Sequence, residues 1–243
     1  MHLIKVDAID STNSMAREML RENSSGKAFA IVARQHLQGR GQRGSSWVSK
    51  PGQNLTFSMV YPNPPVLPVR QFLLSAAVAT AIVKVLKIFN IPNLSLKWPN
   101  DIMSARYKIG GILIENIVSE AAISATIVGV GLNVNQTDFE GLPAASSLKL
   151  VTGINFYPEE LLEELLTELE KGLERISASN SGSIMEEYKS YLFRKNVPST
   201  FQLEDRSFFT GMIEDVSPVG KLMVRTETDE IMEFDLKEVR LCF

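Results

Sequence analysis

Little in this chain can build a disulfide or a metal centre. Its 243 residues include one cysteine, Cys242 next to the C-terminal end, and two histidines, His2 and His36. That removes an internal disulfide and a cysteine-based metal site, and it argues against a histidine-rich zinc site and most histidine triads. No metal ligands are assigned. Long hydrophobic runs are also lacking: the longest, residues 72–83, is too short for a bilayer span and is followed by Lys84. Neither sign of charge dominates. With 28 acidic and 25 basic side chains the formal charge is −3, which argues against a broad nucleic-acid surface. No signal-peptide pattern, internal repeat or low-complexity tract is visible, so the expected location is cytoplasmic. What remains is ordinary soluble material, 44% hydrophobic and 22% charged, long enough for a large domain and a small one.

Periodicity sketches the elements. Residues 14–22 carry Met15, Met19 and Leu20 at helical spacing, with capping side chains at 11–13. Residues 29–33 and 54–61 read as strands, and four prolines in 62–68 mark a connection. Residues 69–89 form the clearest long helix, with Lys84 and Lys87 placed late to suit the helix dipole. Strands are expected at 94–98, 102–104, 108–118 and 121–134. In the last, Gly129, Gly131 and Asn133 alternate with Val128, Val130, Leu132 and Val134. The apolar face suits a helix layer, and the small face leaves room for a ligand or marks a bulge. Lys108, Gly110 and Ile112 predict a similar small face on the preceding strand. Residues 136–152 read as a long polar loop, and 158–175 and 183–192 as amphipathic helices. From residue 196 short alternating runs at 201–203, 208–216, 222–226, 231–234 and 239–243 suggest a small β-barrel. The expected fold is α+β, a mixed β-sheet packed with helices over 1–194 and a small barrel over 195–243.

Chemistry concentrates in a few stretches. Gly39-Arg40-Gly41-Gln42-Arg43-Gly44-Ser45-Ser46-Trp47 combines backbone that can curl around an anion, two cations and an aromatic surface. Such a loop suits a ligand with a phosphate or carboxylate plus a ring, although a solvated basic loop has the same composition. Lys97-Trp98-Pro99-Asn100-Asp101 gathers a cation, an aromatic, an amide and a carboxylate around a proline that holds Trp98 extended. Lys108 opens a strand continuing Ile-Gly-Gly-Ile-Leu-Ile, where a cation is expected at a rim or cavity mouth. Ser11 and Thr12 fit helix capping as well as ligand binding. Trp47 fits a core position as well as a ligand cover, and Asp101 fits a turn as well as a catalytic role.

With Asp10-Ser11-Thr12-Asn13 and Gly129-Val130-Gly131-Leu132-Asn133, the set and its order resemble the biotin protein ligases, from about Asp7 to the C-terminus. The resemblance implies a class II synthetase-like catalytic domain followed by an SH3-like barrel. It implies ATP and biotin as substrates with Mg²⁺, activation of biotin to biotinyl-5'-AMP with loss of pyrophosphate, and transfer to a lysine. The acceptor would be a biotin carboxyl carrier protein of acetyl-CoA carboxylase or a related enzyme. Carried over position by position, Lys108, Arg40 and Asp101 are catalytic. Biotin-binding positions are Ser11, Thr12, Asn13, Gln35, Gly39, Arg40, Gly41, Gln42, Lys108, Gly110, Gly129 and Gly131. Arg43, Trp47, Asn100 and Asn133 bind the nucleotide. Family members commonly carry arginine where this chain has Gln42 and Ser45, so the phosphate charge falls on fewer cations. Some also carry an N-terminal DNA-binding domain, and six residues before the similarity leave no room for one, so a monofunctional ligase without DNA or membrane partners is expected. The resemblance allows a homodimer. The rival readings are a lipoate or octanoyl ligase and a non-catalytic biotin-binding module.

Overall fold

A computed structural model describes residues 1–22 and 26–243, with Arg43 described through its backbone alone. The larger sheet has seven strands: β1 (His2–Ile9), β2 (Phe29–His36), β3 (Leu55–Pro62), β4 (Leu94–Lys97), β5 (Asp101–Ser104), β6 (Tyr107–Ser119) and β7 (Ala122–Leu132). Their order is β1-β2-β3-β7-β6-β5-β4, and only the β1–β2 pair is parallel. The mixed-sheet expectation holds, although β1 itself is an addition. It alternates weakly because it is an edge strand, with Ile4 and Val6 packed against the core on the α1 side and Leu3 against the helix-side core.

Helices cover both faces. One face carries α2 (Phe72–Ile88), α4 (Pro158–Glu174) and α5 (Ser181–Ser190), while α1 (Thr12–Glu22) lies on the other. α2 is apolar around most of its circumference because it is enclosed; thirteen of its residues, from Phe72 to Leu86, are buried. α4 meets it with Leu161, Leu165, Leu169 and Leu173, all fully buried, and turns its glutamates outward. The strand pleat then divides β7 between two cores. Val128, Val130 and Leu132 join the helix-side cluster, whereas Ile127 packs with Ala16, Ile31 and Val60 beneath α1. Beyond Ile127 the α1 side of β7 continues as Gly129 and Gly131, so packing stops and space begins.

Part of the expected polar loop is ordered as a short helix, α3 (Leu148–Thr152). The Ser147 hydroxyl caps it by accepting from the Leu150 N–H at 3.2 Å, and Gly153 closes it at φ +82°. Among the described residues, no helix is long and apolar enough to cross a membrane.

The last five strands are β8 (Pro198–Leu203), β9 (Phe208–Val216), β10 (Leu222–Thr226), β11 (Ile231–Phe234) and β12 (Val239–Cys242). They form an antiparallel sheet ordered β11-β10-β9-β8-β12. This is an open sheet rather than the closed barrel expected, because no ladder joins β11 to β12 among the described residues. It is nonetheless strongly curled. The chain passes from one edge strand to the other through residues 235–238, which include a turn. Such a link cannot reach across the roughly 19 Å of four flat strand spacings. The sheet docks on the α2 end of the larger unit: Trp98 Nε1 donates to the Gly220 carbonyl at 2.9 Å, and a side chain at Gly220 would strike the Phe72 ring. One hydrophobic cluster runs through both, from Leu74 and Ile82 to Phe201 and Val224.

Candidate active site

The glycines of β6 and β7 open a slot on the α1 side. Gly111 and Gly131 are direct partners across the β6–β7 ladder. The Trp47 indole lies in the space they leave: a side chain at Gly131 would collide with it, and one at Gly111 would sit 3.5 Å from its Cζ3. A side chain at Gly129 would collide with the Asn13 amide. The small face of β7 is therefore real, and it is shaped to a tryptophan and an asparagine. On β6 the expectation needs correction. Gly110 points to the helix side, where a side chain would lie 3.1 Å from Ile102 and 3.2 Å from Leu132, and Ile112 joins the helix-side core. The cause is a bulge. Ile102 pairs with Gly110 but Met103 with Lys108, so Ile109 is an extra residue and the alternation shifts by one. Lys108 and Gly111 thereby come to the same side.

Above this slot lies a cavity of about 200 Å³, with a neutral polar end and a charged end. Ser11, Thr12, Asn13 and His36 line the first. Ser11 starts α1 through its carbonyl, which accepts from the Met15 N–H at 3.1 Å. Thr12 and Asn13 occupy the first turn, yet their side chains bond to the sheet and not to helix N–H groups. Thr12 Oγ1 and Asn13 Oδ1 lie 2.7 and 2.6 Å from Ser58 Oγ, and Asn13 Nδ2 donates to Glu115 at 2.8 Å. Arg17 reaches the other Glu115 oxygen at 2.7 Å. All of Ser11, Thr12, Asn13 and Ser58 are buried.

Gln35 is not on the wall; its neighbour His36 is. His36 Nε2 accepts the Thr12 N–H at 3.3 Å, and burial pushes the imidazole pKa below its ordinary value. The ring is thus neutral, its proton on Nδ1, a buried atom without a partner. Sequence reasoning passed over His36, and also Ser58, Arg17 and Glu115. A histidine directly before the glycine loop was the available signal.

At the charged end Lys108 Nζ lies 2.6 Å from Asp101 and 5.8 Å from the Trp47 ring centroid. Asp101 also faces Lys97 at 3.9 Å. Burial, opposed by Asp101 and reinforced by Lys108 and Arg240, lowers the Lys97 pKa. The strand-linking turn, with a cis Trp98–Pro99 peptide, is pinned by Asn100, whose Nδ2 donates to the Ile112 carbonyl at 2.8 Å. Lys108 is held from behind by the 133–147 segment: its N–H donates to the Ala144 carbonyl at 2.8 Å and its carbonyl accepts from Ser146 at 2.9 Å. Asn133 serves that segment. It is buried, donates to the Ser146 carbonyl at 2.9 Å and does not line the cavity, so its place in this structure is a supporting one.

The glycine loop closes on itself. Trp47 N–H donates to Gly39 at 2.9 Å, Gly41 N–H to Ser45 at 2.7 Å, and the Ser45 hydroxyl to Gln42 at 2.8 Å. Side chains at Gly39 or Gly41 would strike Trp47 and Ser45, so these two glycines are required by the loop's own tightness. The fold brings Arg40, Gly41, Gln42 and Trp47 onto the same cavity wall as Asn100, Asp101 and Lys108. Gly39 sits at the loop's base and is not on that wall. The side chain of Arg43 lies outside the described residues.

Comparison with known proteins gives this arrangement relatives. Residues 6–133 match the model of the biotin/lipoate A/B protein ligase family. The chain is 33% identical over 175 residues to the bifunctional ligase/repressor BirA of Bacillus spizizenii, covering 70% of this chain and 53% of that protein. It thus spans about half the length of that relative. It is 34% identical over 161 residues to the biotin–[acetyl-CoA-carboxylase] ligase of Paracoccus denitrificans, covering 64% of this chain and 66% of that one. Among solved structures, the biotin protein ligase of Aquifex aeolicus in complex with biotin and ATP is similar with a TM-score of 0.81 at 27% identity, covering 99% and 98% of the two chains.

Proposed function

The chain belongs to the biotin/lipoate A/B protein ligase family, and from that premise we propose that it is an ATP-dependent biotin protein ligase. The observation that carries the reading is one cavity lined both by the neutral donors and acceptors of Ser11, Thr12, Asn13 and His36 and by the cations Lys108 and Arg40. A cyclic urea needs uncharged partners for its N–H and C=O groups, and a valerate carboxylate needs a cation. An octanoyl chain would leave Thr12, Asn13 and His36 facing hydrocarbon, which is costly.

In the first step the biotin carboxylate attacks the α-phosphorus of ATP, and pyrophosphate leaves. No protein nucleophile is needed; the barrier is lowered by holding two anions in line and neutralising the charge that develops. Lys108 is positioned for this by the Asp101 ion pair and the backbone bonds behind it, and Arg40 covers the same region from the loop. The Trp47 indole and Asn100 flank the nucleotide side, with Arg43 assigned to the phosphates. Mg²⁺ arrives as the counter-ion of the ATP substrate. Asp101 is the one carboxylate on the cavity wall among the described residues, and it is the counter-charge to Lys108 and Lys97 there.

In the second step a carrier lysine amine attacks the carbonyl of the mixed anhydride, and AMP departs. Asp101, once Lys108 turns to the phosphate, is the acceptor for the amine proton. The partner is a biotin carboxyl carrier protein, with residues 1–194 as the catalytic unit and 195–243 as an appended one. The decisive experiment supplies ATP, a biotin carboxyl carrier domain and either biotin or octanoate, and follows pyrophosphate release and label transfer. Turnover with biotin alone is expected. Turnover with octanoate and none with biotin would give the lipoate-type reading instead, and tight biotin binding without pyrophosphate release would make the chain a binding module.

A further inference from the structure

The larger sheet ends at β1 in an edge that no strand closes among the described residues. β1 is eight residues long, pairs in parallel with β2, and contains no proline, glycine or bulge to blunt its outer side. The α1 helix is centred elsewhere, across β2, β3 and β7. The Ile9 carbonyl accepts from the Leu37 N–H, on the β2 side, at 2.8 Å. Alternation then turns the backbone N–H and C=O groups of Leu3, Lys5, Asp7 and Ile9 towards β2. Those of His2, Ile4, Val6 and Ala8 point outwards. Side chains follow the same period. Ile4 and Val6 pack on the α1 side and Leu3 on the helix side. Lys5 and Asp7 share the side of Leu3; both are exposed, and neither has an ion-pair partner among the described residues.

We propose that β1 is a self-association surface, and that its occupant is β1 of a second copy of this chain, run antiparallel about a two-fold axis at Val6. The register follows from backbone direction and charge. Only outward amides can exchange bonds, so even-numbered residues must stand opposite even-numbered ones. Centred on Lys5 or on Asp7, the pair would set two like charges face to face at the axis, and registers further out would join less of the strand. Centred on Val6, Lys5 stands opposite the partner's Asp7, and symmetry makes that ion pair twice. These are non-hydrogen-bonded positions, where side chains approach most closely. Ile4 meets the partner's Ala8, and Leu3 meets the partner's Ile9, so apolar residues face apolar residues throughout. Leu3 also lines a cavity of about 190 Å³ with Val32, Leu55 and Leu162, next to where the partner's Ile9 arrives. Ile4, Val6 and Ala8 supply about six main-chain hydrogen bonds across the axis, and the two sheets become one.

The test does not depend on the biotin reading. It is sedimentation velocity of the full chain over a range of protein concentrations. Contact along one short strand is a small interface, so monomer and dimer should exchange with concentration. Lys5→Asp turns both ion pairs into repulsions and should weaken the dimer about tenfold. Asp7→Lys should do the same. The double variant, Lys5→Asp with Asp7→Lys, restores opposite charges in the reversed sense and should bring the dimer back towards the wild-type constant. Val6→Pro removes the outward N–H at the axis from both copies while sparing the bonds to β2, so a folded Val6→Pro protein should be monomeric. Wild-type protein that stays monomeric at every concentration overturns the inference. So does a dimer indifferent to both single reversals, because it is built on another surface. Single reversals that weaken the dimer without rescue by the double variant overturn the register, and the inference with it.

Discussion

Replacing Lys108 by alanine separates catalysis from stability, because the structure asks very different things of this side chain in the two. In the folded protein Lys108 Nζ makes one ion pair, 2.6 Å to Asp101, and its side chain is 36% exposed. An ion pair that open to solvent contributes about 0–1 kcal/mol. Asp101 would not be abandoned, since Lys97 stands 3.9 Å away and can close on it. The backbone bonds that Lys108 makes to Ala144 and Ser146 survive the substitution. Stability should therefore fall by about 1 kcal/mol at most. Adenylate formation is another matter. The developing charge at the carboxylate and phosphate loses its best-placed cation, and one such contact in a water-poor site is worth about 3 kcal/mol, or roughly 150-fold in rate. The assay is pyrophosphate release with saturating ATP and biotin, run beside urea unfolding of the same preparations. Supplying biotinyl-AMP should restore part of the transfer to a carrier lysine, since the first step is bypassed. A Lys108→Ala enzyme that releases pyrophosphate at the wild-type rate would refute the assignment. So would a rate loss matched by a stability loss of equal free energy.

Other consequences follow from the same geometry. Gly131→Ala places a methyl group where the Trp47 indole lies, so it should destabilise the fold by about 1–3 kcal/mol and displace the ring; unchanged urea unfolding and unchanged Trp47 fluorescence would contradict the slot. Burial holds the His36 pKa below 6.5, so as pH falls below that ordinary value the unfolded chain takes up a proton that the folded one refuses. Stability and biotin affinity should both decline in that window as pH drops towards the folded pKa. His36→Gln, which still offers an acceptor to the Thr12 N–H, should flatten the decline, and a variant with the same pH profile would show that another group titrates. Trp98→Phe removes the donor to the Gly220 carbonyl and should cost about 1 kcal/mol, with faster hydrogen exchange in β8–β12; exchange as slow as wild type would mean that the curled sheet docks without that bond.

The parts of this molecule that were legible in the sequence are those fixed by local period. The alternation of Val128, Val130 and Leu132 with Gly129 and Gly131 is a statement about one strand, and the pleat carries it straight into two faces. The long apolar run of α2 could only be enclosed. What local period cannot encode is how strands pair. The bulge at Ile109 exists only in the β5–β6 register, and it turns Gly110 away from the face expected for it. Barrel closure is a case of the same kind, since strand count was readable while the β11–β12 ladder, absent among the described residues, is a relation between edges.

Side-chain roles divide along the same line. Lys108 and Arg40 stand out as cations beside glycines, while Asp101 and the roles of all three came with the family resemblance. The neutral end was harder, because its chemistry belongs to a network and not to any member. Thr12 and Asn13 look like helix-capping residues, and in isolation that is what they would be. They are diverted because β3 presents Ser58, which is fully buried, and β6 presents the half-buried Glu115, both at hydrogen-bonding distance. A carboxylate in β6, an arginine in α1 and a hydroxyl in β3 are far apart in the chain. Only the sheet order β3-β7-β6, with α1 lying across it, brings them to one point. The glycines of β7 are part of that arrangement: Gly129 is the gap through which Asn13 reaches from α1 to β6, and Gly131 is the gap that takes the indole. The same two residues that empty the core on this side thus decide which side chains stand at the cavity wall.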